Sequence, residues 1–325
     1  MKKWLYYGPI MLVSLALMGC LQMQQVVMAM TAQTTMTTLA QSIVINRNLP
    51  QVTMITATLT PTPTDTPTPT VTLLFTDTPT PSPTNTPLPP IEPTPLDPNF
   101  TLHVPILMYH YISVPPQNAD AIRLDLSVTP MQFEAQLLYL RQQGYETISL
   151  QQLYLAMTLQ TPLPAKPIVI TFDDGYRDAY QQAFPLLKQY GYKATFFVFT
   201  QPIDTYNIEF LTWEMITEMH QAGMEFGSHS YTHPDMRHRD ADFLVYQILG
   251  SKEAIEARIG EPVRFFCYPS GRYDQAVINV LDSAHFFGAL TTQWGDSHSF
   301  NERFEMSRIR VRGTDSLDTF AAVLK

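Results

Sequence analysis

Cysteine is almost absent from this 325-residue chain: only Cys20 and Cys267 are present, which excludes a disulfide framework. Positive charge is also in short supply. Lys and Arg number 20 against 29 Asp and Glu, for a formal net charge of −9. That balance lacks the basic footprint of a nucleic-acid binder or of a surface held to anionic lipid. Apolar residues, by contrast, make up 45% of the chain, enough for a substantial core. The length admits one large domain or two ordinary ones.

The chain opens with Lys2 and Lys3, then an apolar stretch from Trp4 to Met18, the pattern of an export signal. The following "LMGC" resembles a bacterial lipoprotein box, Leu17-Met18-Gly19-Cys20, which implies a lipidated Cys20. An uncleaved anchor over 4–21, near the minimum spanning length, and a later cleavage are the alternatives. Each places the remainder outside the cytoplasm, at the cell surface or beyond it. From Thr58 to Pro98 the composition changes: this segment carries 13 of the 27 prolines, interleaved with threonine. Such a stretch buries no core and reads as an extended spacer of roughly 100 Å at ~3.1 Å per residue. The organisation expected is therefore an export segment at 1–20, a disordered linker at 21–98 and one globular domain at 99–325.

Within that domain strands and helices alternate. Strands are expected at 103–112, 166–172, 193–199, 224–230, 264–269, 287–293 and 304–311. Helices are expected at 129–146, 179–192, 212–223, 240–260 and 274–285, with another at the C-terminus. Alternating βα units imply a parallel sheet covered by helices, either doubly wound or closed into a distorted barrel. In such folds chemistry gathers at the carboxyl ends of the strands. Here those ends carry unusual side chains: His110, then Asp173-Asp174, then "SHSYTH", then "PSG", and Trp294.

Two adjacent carboxylates at the end of a buried strand repel each other, and desolvation worsens the conflict. An exposed Asp-Gly turn is the plain alternative. His229 and His233, four residues apart, can offer both imidazoles to one cation. With one aspartate they form a two-His, one-carboxylate set that leaves positions for water and substrate. The second aspartate then remains beside the cation to move protons.

"TFDDGY", "SHSYTHPDM" and "YPSGRYD" resemble, in order and spacing, the motifs of NodB-homology polysaccharide deacetylases (carbohydrate esterase family four). The likeness covers about 103–325, and "PILMYHYI" resembles the exported poly-N-acetylglucosamine deacetylase subgroup. The resemblance implies a distorted, incomplete (β/α) barrel of about seven strands. It implies Asp174, His229 and His233 as ligands of one divalent metal, usually zinc, with cobalt, nickel or iron as variants. It assigns Asp173 as general base, Pro269, Ser270 and Gly271 to the groove, and the Ser270 amide to the oxyanion. Two positions depart from the pattern. The arginine that tethers the base in many members is Cys267 here, with Arg308 or Arg264 as candidate replacements. The late Leu-x-His that supplies the acid reads "MSRIRV", which leaves His110 as the candidate acid.

The activity expected from this resemblance is removal of N-acetyl groups from aminosugars of a cell-surface or extracellular polysaccharide, by a monomer that touches the membrane through its N-terminus alone. An O-acetyl esterase and an inactive glycan-binding module are the rival readings.

Overall fold

The computed structural model describes residues 93–324. The export segment, the lipoprotein-type box and nearly all of the Thr/Pro-rich linker lie outside the described residues. Seven strands form the centre: β1 (Ile106–Tyr109), β2 (Pro167–Phe172), β3 (Thr195–Val198), β4 (Glu225–Ser228), β5 (Phe265–Cys267), β6 (Gly288–Trp294) and β7 (Met306–Arg310). They run β1-β7-β6-β5-β4-β3-β2, and β2 pairs back onto β1. Every pairing is parallel, with Met108 opposite Thr171 and Tyr109 opposite Phe172 where the ring closes. The expected (β/α) barrel of seven strands is thus present, one strand short of the full eight.

Side-chain period two divides each strand between two cores. Leu107, Ile170, Phe196, Phe226, Phe266 and Ile309 join the helices in one apolar cluster. Residues of the opposite parity, Ile106, Val169, Phe197, Phe265, Cys267 and Met306, form a second cluster, the barrel interior. Gly227 belongs to the inward set, and a Cβ there would lie 2.4 Å from the Phe197 ring. Its missing side chain lets that phenylalanine fill the barrel.

Helices surround and close the barrel, among them α1 (Ala121–Leu126), α2 (Pro130–Gln143), α3 (Leu150–Leu159), α4 (Phe184–Tyr190), α5 (Trp213–Gln221), α6 (Ala241–Ile259), α7 (Gln275–Ser283) and α8 (Leu317–Ala322). Capping boxes at Thr129/Gln132 and Ser149/Gln152 start α2 and α3. The α3 helix was not expected from the sequence. Leu150, Leu153, Tyr154 and Met157 join the interior cluster, and the Leu150 amide donates to Glu225 at the start of β4, 3.1 Å away. The helix therefore plugs the amino end of the barrel, which explains its apolar composition. The helix expected over 179–192 begins as a π-turn, Ala179–Ala183, and becomes α4 at Phe184. Pro185 falls in the first turn, where a missing N–H costs nothing. No helix among the described residues is long and apolar enough to cross a membrane.

A short strand at Thr101–His103 pairs antiparallel with Ser297–Ser299 and fastens the entry of the domain. His298 in that pair is buried, and its ring nitrogen Nε2 lies 3.0 Å from the Val104 carbonyl. Burial pushes its pKa down from 6.5 to about 4. A lowered folded-state value means the neutral ring stabilises the fold above pH 6.5. That contribution drains away as pH falls toward 4 and is gone below it. The gap is worth about 3 kcal/mol. His298→Gln, which keeps a donor for Val104, should lose less melting temperature than the parent between neutral pH and pH 4. Equal losses in a thermal-denaturation series would show that His298 is not an acid-labile point.

Candidate active site

The interior parity of β2, set by Val169 and Thr171, carries one residue past the strand to Asp173. The Asp173 amide is tied to the Tyr109 carbonyl at 2.9 Å, and its carboxylate is buried. The chain then turns sharply through Asp174 (φ 71°) and Gly175 (φ 77°). A Cβ on Gly175 would press on Val198 Cγ1 at 2.8 Å. Ser230 (φ 73°), His233 (φ 58°) and Ser270 (φ 54°) share this left-handed conformation, which costs of order 1–3 kcal/mol per residue outside glycine. All lie in loops leaving the carboxyl ends of β2, β4 and β5. Strain of this kind persists where a site demands it.

Those loops bring Asp174, His229 and His233 together, with their ligating atoms within 4.8 Å of one another. Both imidazole Nε2 atoms stand 3.3 Å from the same oxygen, Oδ1 of Asp174. His229 Nδ1 lies 2.6 Å from the Cys267 carbonyl. A carbonyl only accepts, so Nδ1 carries a proton, and Nε2, facing Asp174, is the nitrogen placed to bind a cation. A ring nitrogen and a carboxylate oxygen this close hold a positive group between them, a proton or a metal ion. Two donors each about 2.1 Å from one tetrahedral ion stand about 3.4 Å apart, so the spacing fits a divalent cation. The histidine loop is itself anchored: the buried Gln247 of α6 accepts from the amides of Tyr231 and Thr232 at 3.2 and 2.9 Å. Gln247 escaped the sequence reading, although a glutamine on the buried face of an amphipathic helix is a signal.

Asp173, His229 and Cys267 also fall within 4.8 Å of one another, but this second group does not fit a metal. The Arg308 guanidinium already occupies it. Arg308 is fully buried; its NH1 donates to Asp173 Oδ1 at 2.8 Å and its NH2 to Oδ2 at 2.7 Å. Its Nε reaches the Thr291 carbonyl at 2.8 Å, and NH2 lies 3.1 Å from the Cys267 sulfur. Burial would raise the Asp173 pKa, but the Arg308 charge and hydrogen bonds hold the carboxyl well below the usual range. Of the two candidate tethers, only Arg308 meets Asp173. Arg264 precedes β5 at the opposite end of the barrel, donates to the His285 carbonyl at 3.2 Å and lies over the Phe287 ring. Its placement at a strand start, rather than a strand end, removes it from the site. Cys267 is buried, and burial pushes its thiol up, so it packs as a neutral group beside the arginine.

His110 interrupts what the sequence presents as one strand: β1 stops at Tyr109, and a separate pair resumes at Tyr111–Ile112. Its Nε2 faces Asp173 Oδ2 at 3.9 Å. Burial lowers its pKa, and the charges of Asp173 and Asp174 only partly offset this, so the resting ring is neutral. Pro269–Gly271 forms one tight turn directly after β5, with the Gly271 amide bonded to the Tyr268 carbonyl at 2.8 Å. Trp294, at the end of β6, is 63% exposed and so contributes no packing to the core.

The sequence profile of the polysaccharide deacetylases matches residues 160–287. A Bacillus subtilis (strain 168) protein, YxkH, whose name places it among polysaccharide deacetylases, is 30% identical over 222 residues, covering 68% of this chain and 76% of its own. The Escherichia coli (strain K12) poly-beta-1,6-N-acetyl-D-glucosamine N-deacetylase is 30% identical over 120 residues, 33% of this chain and 18% of that one. Among solved structures, the Streptococcus pyogenes deacetylase PplD in complex with acetate superposes with a TM-score of 0.65 at 29% identity. That alignment covers 70% of this chain and 100% of PplD. With the barrel, the clustered strand ends and a relative matched over three quarters of its length, this chain belongs to the polysaccharide deacetylase family.

Proposed function

We propose that the protein is a metal-dependent hydrolase that removes N-acetyl groups from aminosugar residues of a polysaccharide. One observation carries the reading: Asp174, His229 and His233 converge on a single point, while Asp173 beside them is claimed by Arg308. The N-deacetylase activity for which the E. coli relative is named and the acetate in the PplD structure support the bond class and the product.

Asp174, His229 and His233 would hold a divalent cation, which when bound would acidify a water and polarise the acetyl carbonyl. Asp173, kept ionised by Arg308, accepts the proton of the attacking water. The Ser270 amide donates to the developing oxyanion, an interaction whose loss typically costs about 3 kcal/mol. His110 then delivers a proton to the departing amine. Because its resting ring is neutral, that proton is the one Asp173 has just taken, passed across the 3.9 Å between them. His110→Ala should therefore lower kcat by about 10²-fold. A loss under threefold in steady-state kinetics would remove His110 from the proton path.

The test of the whole reading is acetate release by the full chain from N-acetylglucosamine oligomers and acetylated xylan, with and without chelator. Release from the amide substrates that stops on chelation and returns with a divalent metal is expected. Release from xylan alone makes the protein an O-acetyl esterase, and release from neither leaves a binding module. His233→Ala should lower metal content and turnover together, as measured by elemental analysis and acetate assay. The reading includes an exported domain, for which Cys20→Ala should abolish partition into the detergent phase.

A further inference from the structure

Beside the candidate site lies a groove of about 720 Å³ whose lining the proposed chemistry does not use. Its floor is a column of stacked planar groups. The Arg123 guanidinium lies over the Tyr111 ring, 3.1 Å from its centroid. Tyr111 stacks on Tyr176 at 3.7 Å, and Tyr176 meets Phe210 at 5.2 Å. Tyr111 directly follows His110, and Tyr176 lies two residues after Asp174, so the column begins where the reaction ends. Both faces of Tyr111 are covered, by Arg123 on one side and Tyr176 on the other. The groove therefore does not offer that ring to a sugar; it offers a guanidinium held flat.

Arg177 lines the same groove. Each guanidinium has five N–H donors, and few are used. Arg123 donates to the Ser113 hydroxyl at 3.2 Å, and Arg177 donates from Nε to the Phe210 carbonyl at 2.9 Å. Among the described residues neither forms an ion pair with a carboxylate. Two acids share the lining. Asp178 is engaged with the Ser113 hydroxyl and the Ile112 backbone and feels the Arg123 charge; the Glu209 carbonyl accepts from the Arg177 amide at 2.8 Å, while its carboxylate forms no ion pair with either guanidinium among the described residues. Two immobilised guanidinia with spare donors in a groove select a planar anionic acceptor over a neutral hydroxyl.

We propose that this groove is a subsite for a carboxylate-bearing sugar residue next to the N-acetylated one, so that the substrate is an acidic glycan. The inference rests on the deacetylase reading for the place of the reacting sugar, but its test does not. Binding to the full chain is measured by calorimetry with two probes. One is a tetramer of N-acetylglucosamine. The other alternates N-acetylglucosamine with N-acetylmuramic acid, whose lactyl group supplies the carboxylate. The acidic tetramer should bind about tenfold more tightly, with an advantage that shrinks at high salt. Arg123→Gln with Arg177→Gln should erase the difference and leave affinity for the neutral tetramer within about twofold. Arg177→Gln alone, which keeps the Arg123–Tyr111 stack, should remove part of it. Equal binding of both tetramers by the parent chain overturns the proposal, as does an equal loss of both in the variants. A chain that releases acetate yet binds both equally keeps the deacetylase and loses the subsite. One that releases none yet prefers the acidic tetramer does the reverse.

Discussion

Asp173→Asn is expected to lower kcat by at least about 10³-fold, within the range of a lost general base, while the protein still binds one equivalent of metal. The amide has the shape of the carboxylate but cannot accept a proton from water. Metal should stay because its three proposed donors, Asp174, His229 and His233, do not include this side chain. The substitution also leaves the fully buried Arg308 without a counter-charge, so melting temperature must be followed beside turnover. A folded, metal-loaded, inactive protein is the expected result. If elemental analysis shows the metal gone from a folded protein, the two aspartates have exchanged roles. If turnover survives within tenfold, water is activated by some other group.

The barrel was legible because its strands announce themselves twice, by apolar runs and by the polar side chains at their carboxyl ends. His229 and His233 could be paired by their spacing once a strand-end carboxylate was set beside them, and the Asp173-Asp174 doublet posed a charge conflict that Arg308 answers at Asp173. Other features were hidden for physical reasons. α3 has the composition of a buried segment, but only the closed ring shows that a plug is needed there. His110 sits in a run that reads as one strand, because a break between two buried segments leaves no mark in hydropathy. Arg308 was readable only as one of two candidates. Its parity with Met306 marks it as inward-facing on β7, and inward charge demands a partner; but nothing in the sequence says that β7 lies close enough to β2 to supply it. Arg264 sits equally close to an apolar strand and differs in being at the wrong end of it.

Removing that partner should have the largest effect on stability. Arg308→Met keeps the bulk of the side chain and discards five N–H donors that now serve Asp173, Thr171, Thr291 and Cys267. Breaking a buried pair from one side typically costs about 3–5 kcal/mol, because the remaining charge is stranded. The kinetic consequence has a definite sign. Burial raises the Asp173 pKa and Arg308 is the main influence holding it down, so its loss moves the acid limb of the pH–rate profile toward higher pH. A merely structural arginine would lower melting temperature and leave that limb in place. The position of Cys267 supplies the complementary test. Its sulfur lies 3.1 Å from the Arg308 NH2 and 3.5 Å from Asp173 Oδ2, on the strand where many family members carry the tether. Arg308→Met combined with Cys267→Arg returns a guanidinium to Asp173 from β5 instead of β7. It should bring the acid limb back toward its original place, and with it part of the lost activity. If the double variant titrates like Arg308→Met alone, the two strands are not interchangeable sources of the same charge, and the thiol is more than the space left by a relocated arginine.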